Sequence, residues 1–495
     1  MRTQLLMICC TLLCAISCSV DSITDKVSES IDSSNGLIEA SPQTNSSFSV
    51  TPSMLNKYLK LFCKKKKPDI IVPIIENGEV LAYYVQYADN KGWDLVAADS
   101  RITPILSSSE EGALSIKEKE DLSIDIIHST LHIIKEIKRD NRYSKINSIW
   151  TFLCPGSSYS KKRPSSFLTW DISKTKSGQR GFGQGMWIAQ DTSIRELRIT
   201  SPRLTSTNWH QLEPWNNYTQ KENGINCPNG CGPVAAGQII YKYLHNNPGN
   251  HPIPSSATVP INGDTVSFGT KTLTAWTHLV ASHLVSDDSD TTAVFLSWLG
   301  ARMLATYHLN STGVKWNHFK SVLGDFVNYR EGFDVGSNVI QQNRFCDTVY
   351  ASITDGSPVI VATTNQPHYL IIDATVHSNY QYVITYVFDP NHIVTEYEYD
   401  NYPSWYFDWP NNYDPDHGIA EIEDCVDLTD NIYIKINWGL SSTQDNTNYL
   451  LRSRTYSFEE PISMIEYRNF TWTRGNKTYS GIDYWMHHFS STVND

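Results

Sequence analysis

The chain has 495 residues, of which 40% are hydrophobic, 12% aromatic and 19% charged. This is enough length and apolar content for two or three packed domains, and too much of both for a disordered chain. With 40 Lys and Arg against 52 Asp and Glu, the net charge of −12 gives no bulk attraction to nucleic acid or to an anionic membrane, so neither is an expected partner.

Residues 1–18 (MRTQLLMICCTLLCAISC) place Arg2 ahead of an apolar run of 12 residues, 5–16. That run is shorter than the roughly 20 residues a spanning helix needs, so it reads as an export signal. It ends Ala-Ile-Ser-Cys, similar to the lipobox of bacterial lipoproteins, which makes Cys18 a candidate lipidation site. The alternative is an ordinary secretory signal in which Cys18 is incidental. The expected location is outside the cell, as a bacterial surface or outer-membrane lipoprotein or as a secreted protein. Membrane contact is expected only through such an anchor. Residues 19–50, rich in Ser, Asn and Asp, read as a flexible tether.

Next comes an α+β segment, 51–150. The spacing of Met54, Leu55, Tyr58, Leu59 and Phe62 predicts a helix over 53–63, broken by KKKKPD. Residues 69–76 and 80–87 are β-branched and aromatic runs flanking Asn77-Gly78, a hairpin signal. A strand is expected at 93–98, then a turn into Thr103-Pro104-Ile105-Leu106. Ile124, Ile127, Leu131, Ile134 and Ile137 predict a second helix over 119–138. Residues 151–200 read as a linker and processing region, with the Ser/Pro/basic stretch 155–166 open to nicking. The remainder, 201–495, is read as one domain with an acidic, aromatic insertion loop near 389–428. No internal repeat is visible, and 457–495 receives no function.

Ten cysteines occur, four of them in the signal. The other six are too few for a disulfide scaffold. Cys227 and Cys231 (CPNGC) are close enough for a disulfide, but no second close pair and no well-spaced His pair completes a metal site, so no structural metal is expected.

The sharpest local signal runs from Asn229 to Leu244 (NGCGPVAAGQIIYKYL). From Pro233 it reads as a helix, with Pro in the first turn, where its missing N–H is harmless. Cys231 then sits at the helix mouth, where the dipole and unpaired amides favour a thiolate and can help hold an oxyanion. The plain alternative is a small buried hydrophobe, which most cysteines are. A thiolate needs a base. His368, in NQPHYLIID and 137 residues downstream, is the best placed of 15 histidines. His377, His392 and His417 lie in looser contexts. A base needs an orienting acceptor. In IYIKINWG, Ile432, Ile434 and Ile436 alternate with Tyr433, Lys435 and Asn437, so Asn437 ends a strand on its polar side. Its carbonyl can accept from an imidazole N–H, and Trp438 can shield that bond. For a side-chain oxyanion donor the upstream candidates are Gln211 and Gln220.

Together these residues resemble the streptopain family of cysteine peptidases, in the papain clan. Gly230-Cys231 with Val234-Ala235 and Gln238 is similar to that family's nucleophile helix. Residues 367–373 (PHYLIID) resemble its Gly-His-Ala strand, and Asn437-Trp438-Gly439 its Asn-Trp-Gly-Trp element. Residues 209–216 (WHQLEPWN) are similar to the stretch at the start of the mature enzyme, and on that match Gln211 is the oxyanion donor. Residues 92–99 (GWDLVAAD) and 103–106 (TPIL) resemble the inhibitory pro-domain. The papain spacing of Gln six residues before Cys is not kept, since Ile225 stands there. Pro367 replaces the usual Gly before His, and Leu440 the second Trp.

The resemblance implies a papain-like α+β catalytic domain behind a small α+β pro-domain. It implies an endopeptidase made as a zymogen, acting on protein or peptide substrates through Cys231, His368 and Asn437, with the pro-domain as intramolecular inhibitor. It implies no metal or organic cofactor. The processing cut is expected between 155 and 205, at the KKRPSS stretch or at Thr200-Ser201-Pro202-Arg203. Competing readings are an inactive surface binding protein on this scaffold, a protease inhibitor working through the N-terminal domain, and a transpeptidase or amidase.

Overall fold

The computed structural model describes residues 48–63, 66–113, parts of 127–153, 184–246, parts of 256–286, 287–393 apart from 334 and 337, 421–440, 446–456, 464–474 and 477–491. The signal with Cys18, most of the tether, residues 155–166 and Ile124 lie outside the described residues. The chain divides into two compact units, 1–106 with 110–161, and 107–109 with 162–495.

The first unit follows its local signals. Helix α1 (Pro52–Phe62) opens at Thr51, whose side chain accepts a hydrogen bond from Met54 N at 3.3 Å, and Pro52 sits in its first turn. It buries Met54, Leu55, Tyr58 and Leu59, one apolar stripe. Strands β1 (Pro68–Glu76) and β2 (Glu79–Tyr87) form a hairpin. Its turn residues Asn77 and Gly78 have φ of 52° and 80°, the left-handed pair that matches strand twist. Strand β3 (Trp93–Ala97) adds to β2, and β4 (Ile105–Ser109) follows. Leu131, Ile134 and Ile137 are buried at helical spacing. Helix α2 (Ser148–Leu153) sinks Trp150, whose indole N–H donates to Ile102 O at 3.0 Å. Lys135 and Lys138 pair with Glu76 and Glu79 of the hairpin.

The second unit is an antiparallel sheet with helices on both faces, so the α+β expectation holds. Its elements are β5 (Gln184–Thr200), α3 (Cys231–Leu244), α4 (Asp287–Arg302), α5 (Trp316–Gly324), β6 (Val327–Phe333), α6 (Val339–Thr354), β7 (Val359–Thr363), β8 (His368–Ile393), β9 (Glu421–Asn437), β10 (Asn448–Tyr456), β11 (Met464–Arg468) and β12 (Ile482–Ser491). The order across the sheet is β11-β10-β9-β8-β7-β12-β6. Beyond the short β7, strand β5 takes its place beside β8, from Thr200↔Val376 to Gln184↔Ile393. Helix α3 is central, and it is buried on every side from Gly232 to Ile240. Val234, Ala236, Ile239, Ile240 and Leu244 meet Phe295, Leu296 and Leu299 of α4, Phe319 and Leu323 of α5, and Ile360, Ile371 and Met486 of the sheet. Each such side chain contributes roughly 1.5–3 kcal/mol by leaving water. On the other face, Phe345 of α6 packs edge-on to Trp485 at 5.2 Å.

Three sequence readings change. Residues 184–200, taken as the end of a linker, are a 17-residue strand. Its charged residues had masked the alternation. The insertion loop is strand at both edges, since β8 runs to Ile393 and β9 starts at Glu421; 394–420 lie outside the described residues. The unassigned tail supplies β12, paired with β7 and β6 inside the sheet.

Candidate active site

The turn into α3 sets the position of Cys231. Gly230 has φ +89°, and a Cβ there would lie 2.9 Å from Thr312 O. Only glycine lets the chain take this conformation while that backbone approaches. Thr312 in turn donates to Pro228 O at 2.6 Å, tying the 306–313 hairpin across the turn. Cys231 is half-buried at the first position of the helix, and Tyr369 N donates to its Sγ at 3.3 Å. An amide aimed at sulfur at a helix N-terminus is the environment in which a thiolate is stabilised. Cys227, four residues earlier, differs. It is fully buried, burial pushes its thiol up, and its carbonyl is held by Asn216 Nδ2 at 3.2 Å and Thr219 Oγ1 at 2.5 Å. Cys227 and Cys231 are both thiols, so the disulfide their spacing allows is not formed.

His368 is the residue before Tyr369 and the first residue of β8, facing Thr363 of β7. The same short stretch therefore carries both the imidazole and the amide that touches the sulfur. Gln366, just before Pro367, sits at φ 145°, a backbone region glycine favours, so this turn is strained for its side chain. His368 is buried, and its Nε2 lies 3.0 Å from Trp438 O. A carbonyl can only accept, so Nε2 carries the proton, and Nδ1 is the proton-accepting nitrogen of the neutral ring.

That acceptor is not the one expected. Asn437 ends β9 opposite Ile371. Its Oδ1 accepts from Gly439 N at 3.1 Å and from Gln238 Nε2 at 3.5 Å, and its Nδ2 donates to Thr205 Oγ1 at 3.2 Å and Thr207 O at 3.5 Å. An Asn side chain bonding the amide two residues on is a local turn-forming habit. It commits the carboxamide to shaping the turn that presents Trp438 O to the imidazole. Gly439 completes that turn at φ +62°, where a Cβ would come 3.0 Å from Val234 Cγ1 of α3. Trp438 is buried, with Tyr479 at 5.2 Å and Tyr449 edge-on at 6.1 Å.

Two groups have no assigned role in the sequence reading. Tyr479, from the unassigned tail, has its ring 5.0 Å from that of His368 and closes the aromatic enclosure with Trp438. The only signal for it was an aromatic residue in a strand-like tail. Gln238, on the helix that bears Cys231, is buried and bridges Asn437 to Trp209 O at 3.3 Å. Beneath them Asp373 is fully buried against Arg203 Nη1 at 3.3 Å and the Thr205 hydroxyl. Burial pushes its carboxyl up, against the opposing pull of Arg203 and Thr205.

Gln211 is half-buried, and its backbone carbonyl accepts from Asn229 N at 2.8 Å, two residues before Cys231. The carbonyl of Gln220 accepts instead from Cys227 N at 2.9 Å, further back along the turn. His377 is bound elsewhere, with Nε2 2.6 Å from Asp430 Oδ1 and Nδ1 3.5 Å from Tyr350 OH. His417 lies outside the described residues, as does the side chain of His392. The segment Thr200–Arg203, expected to be open, is held down. Ser201 N donates to Thr375 O at 2.9 Å, Thr375 N to Ser201 Oγ at 2.8 Å, and Leu204 N to Asp373 O at 2.9 Å.

Residues 209–446 match the Peptidase C10 family. Two solved structures from Prevotella intermedia are similar. One is a prointerpain A fragment, at 15% identity and a TM-score of 0.38, covering 63% of this chain and 88% of that one. The other is the active interpain A cysteine protease, at 13% identity and a TM-score of 0.35, covering 58% and 93%. Both likenesses are too distant to bear on the geometry. No curated protein sequence matches the chain. The helix-borne cysteine and the strand-borne histidine both lie within the matched residues, and over 209–446 the chain is similar to the cysteine-type peptidases of the streptopain family.

Proposed function

We propose that the chain is an exported endopeptidase zymogen in which Cys231 attacks the peptide carbonyl and His368 moves the proton. The observation that carries this reading is the Tyr369 N–Sγ contact of 3.3 Å, which sets the residue after His368 on the sulfur. The thiolate adds to the carbonyl carbon, and the oxyanion is held by the Cys231 amide and the Gln211 carboxamide. The imidazolium then gives its proton to the leaving amine, and water, deprotonated by the same ring, hydrolyses the thioester. Trp438 O holds the ring, and Asn437 acts one residue back as a positioning group. Trp438 and Tyr479 keep water from that bond.

The export signal at 1–18 supports secretion, and lipidation at Cys18 would tether the enzyme to the outer surface. Residues 51–150, with their own core, are proposed to inhibit the catalytic domain until cut. We propose a cut between 155 and 183; β5 from Gln184 and the hydrogen bonds of Ser201 and Leu204 to the second unit's own sheet favour a position before them.

Cys231→Ala is expected to lower kcat/KM by about 10³-fold or more and abolish labelling by epoxide inactivators, while Cys227→Ala keeps most activity. Casein cleavage by the Cys231 variant at the wild-type rate would overturn the assignment. Intact mass after incubation tests processing: a mature form starting after residue 184 contradicts this position of the cut, and full activity with no cut contradicts the zymogen reading.

A further inference from the structure

Trp485 of β12 faces α6, while its neighbour Met486 lies in the core beneath α3. Successive strand residues point to opposite faces, so His487 shares the α6 face, away from the cysteine helix. There β6, α6 and β12 line a cavity of about 550 Å³. Its charged lining is Arg330 and Glu331 from β6, Arg344 and Asp347 from α6, and His487 and His488 from β12.

The balance of charge in this cavity is uneven. Both carboxylates are already engaged by cations outside it, Glu331 with Lys320 at 3.4 Å and Asp347 with Arg452. Among the described residues, the guanidiniums of Arg330 and Arg344, both exposed, have no hydrogen-bond or ion-pair partner. His487 is buried beside them with its Nδ1 against that of His488. Burial, His488 and the two guanidiniums push His487 down to about 4. The backbone is irregular at the same place. His488 has φ 51°, and the β6–β12 register shifts between Asn328 and Arg330. Such irregularities re-aim side chains and recur where strain serves a site.

His488 is turned the other way, its Nε2 3.4 Å from Asp355 Oδ2. We propose that this cavity binds a phosphate group, free or as a monoester, between the forks of Arg330 and Arg344 with the His487 ring as a further donor. A guanidinium matches phosphate oxygens two at a time, and two that make no protein ion pair beside one hollow can hold a dianion between them. The site is separate from the peptidase centre and does not depend on it.

The test is calorimetry on the full chain with inorganic phosphate and with glycerol phosphate, at constant ionic strength in chloride, together with NMR titration of the histidine rings. Saturable binding is expected, with the His487 titration moved up by about one unit or more as the anion stabilises the charged ring. Arg330→Gln and Arg344→Gln should each weaken binding about tenfold or more, and the pair should abolish it, with unchanged melting temperature and unchanged peptidase activity. Binding of glycerol phosphate alongside inorganic phosphate identifies a monoester site, and binding of inorganic phosphate alone a free-ion site. No saturable phosphate signal over chloride, or an undiminished one in the double variant, overturns the proposal.

Discussion

Two histidines on strand β8 have opposite surroundings. His368 meets a neutral acceptor, Trp438 O, inside an aromatic enclosure, next to the residue whose amide touches Cys231. His377, nine residues on, meets a carboxylate, Asp430, at 2.6 Å, and that carboxylate also faces Arg452 at 3.5 Å and Arg454 at 3.6 Å. Burial alone would raise Asp430, but the hydrogen bond from His377 and the charges of Arg452, His377 and Arg454 hold its carboxyl below the usual range. A ring tied into an ion network is a structural strut. A ring held by a neutral carbonyl is oriented by one nitrogen and keeps the other for proton exchange.

The largest expected effect separates the two rings directly. His368→Ala should lower kcat by about 10²–10⁴-fold, the usual worth of a general acid–base group, whereas His377→Ala should leave kcat within a few-fold and lower the melting temperature. Equal losses of kcat would erase the distinction. Gly230→Ala tests the partner side of the crevice. The forced left-handed backbone and the 2.9 Å approach to Thr312 O predict a loss of about 1–3 kcal/mol in stability and a slower inactivation by epoxides. A variant with wild-type melting and labelling would show that the turn tolerates a side chain.

Confined to stability is the effect of Thr205→Val, which removes the donor to Asp373 and the acceptor for Asn437. It should cost about 1–3 kcal/mol of stability, read by urea denaturation, and change KM little. The least is an acid effect. Asp430 is depressed in the folded state, so its contribution is present above the unfolded carboxyl value of about 4 and is lost as pH falls below it. The melting-temperature gap between wild type and Asp430→Asn should therefore narrow from about pH 6 to pH 3. A gap that stays constant would remove Asp430 from the account.

The residues that were readable from sequence are those whose structure is decided by near neighbours. Asn77-Gly78 turns its hairpin, Thr51 caps its helix, and Gly230-Cys231 opens α3 as its local pattern indicates. The family motifs also singled out His368 and Asn437, because they are short and contiguous. The motif pattern did not say how those two would bond. Asn437 was expected to hold the imidazole, yet its carboxamide turns to Gly439, Gln238 and Thr205. Strand β5 was hidden for a related reason. Its charges read as a linker, and only the unoccupied edge of β8 makes it a strand.

The sequence by itself determined the cysteine's place at a helix mouth, the alternation of the core strands and the glycine-bearing turns, since each depends on sterics and hydrogen bonds within a few residues. Tertiary structure decided which carbonyl receives the His368 proton, that Tyr479 covers the ring, and that Arg203, Thr205 and Asp373 brace Asn437 from beneath. Those choices join residues up to 232 positions apart. A buried polar atom must be satisfied by whatever the fold brings within reach, and no local pattern names that partner.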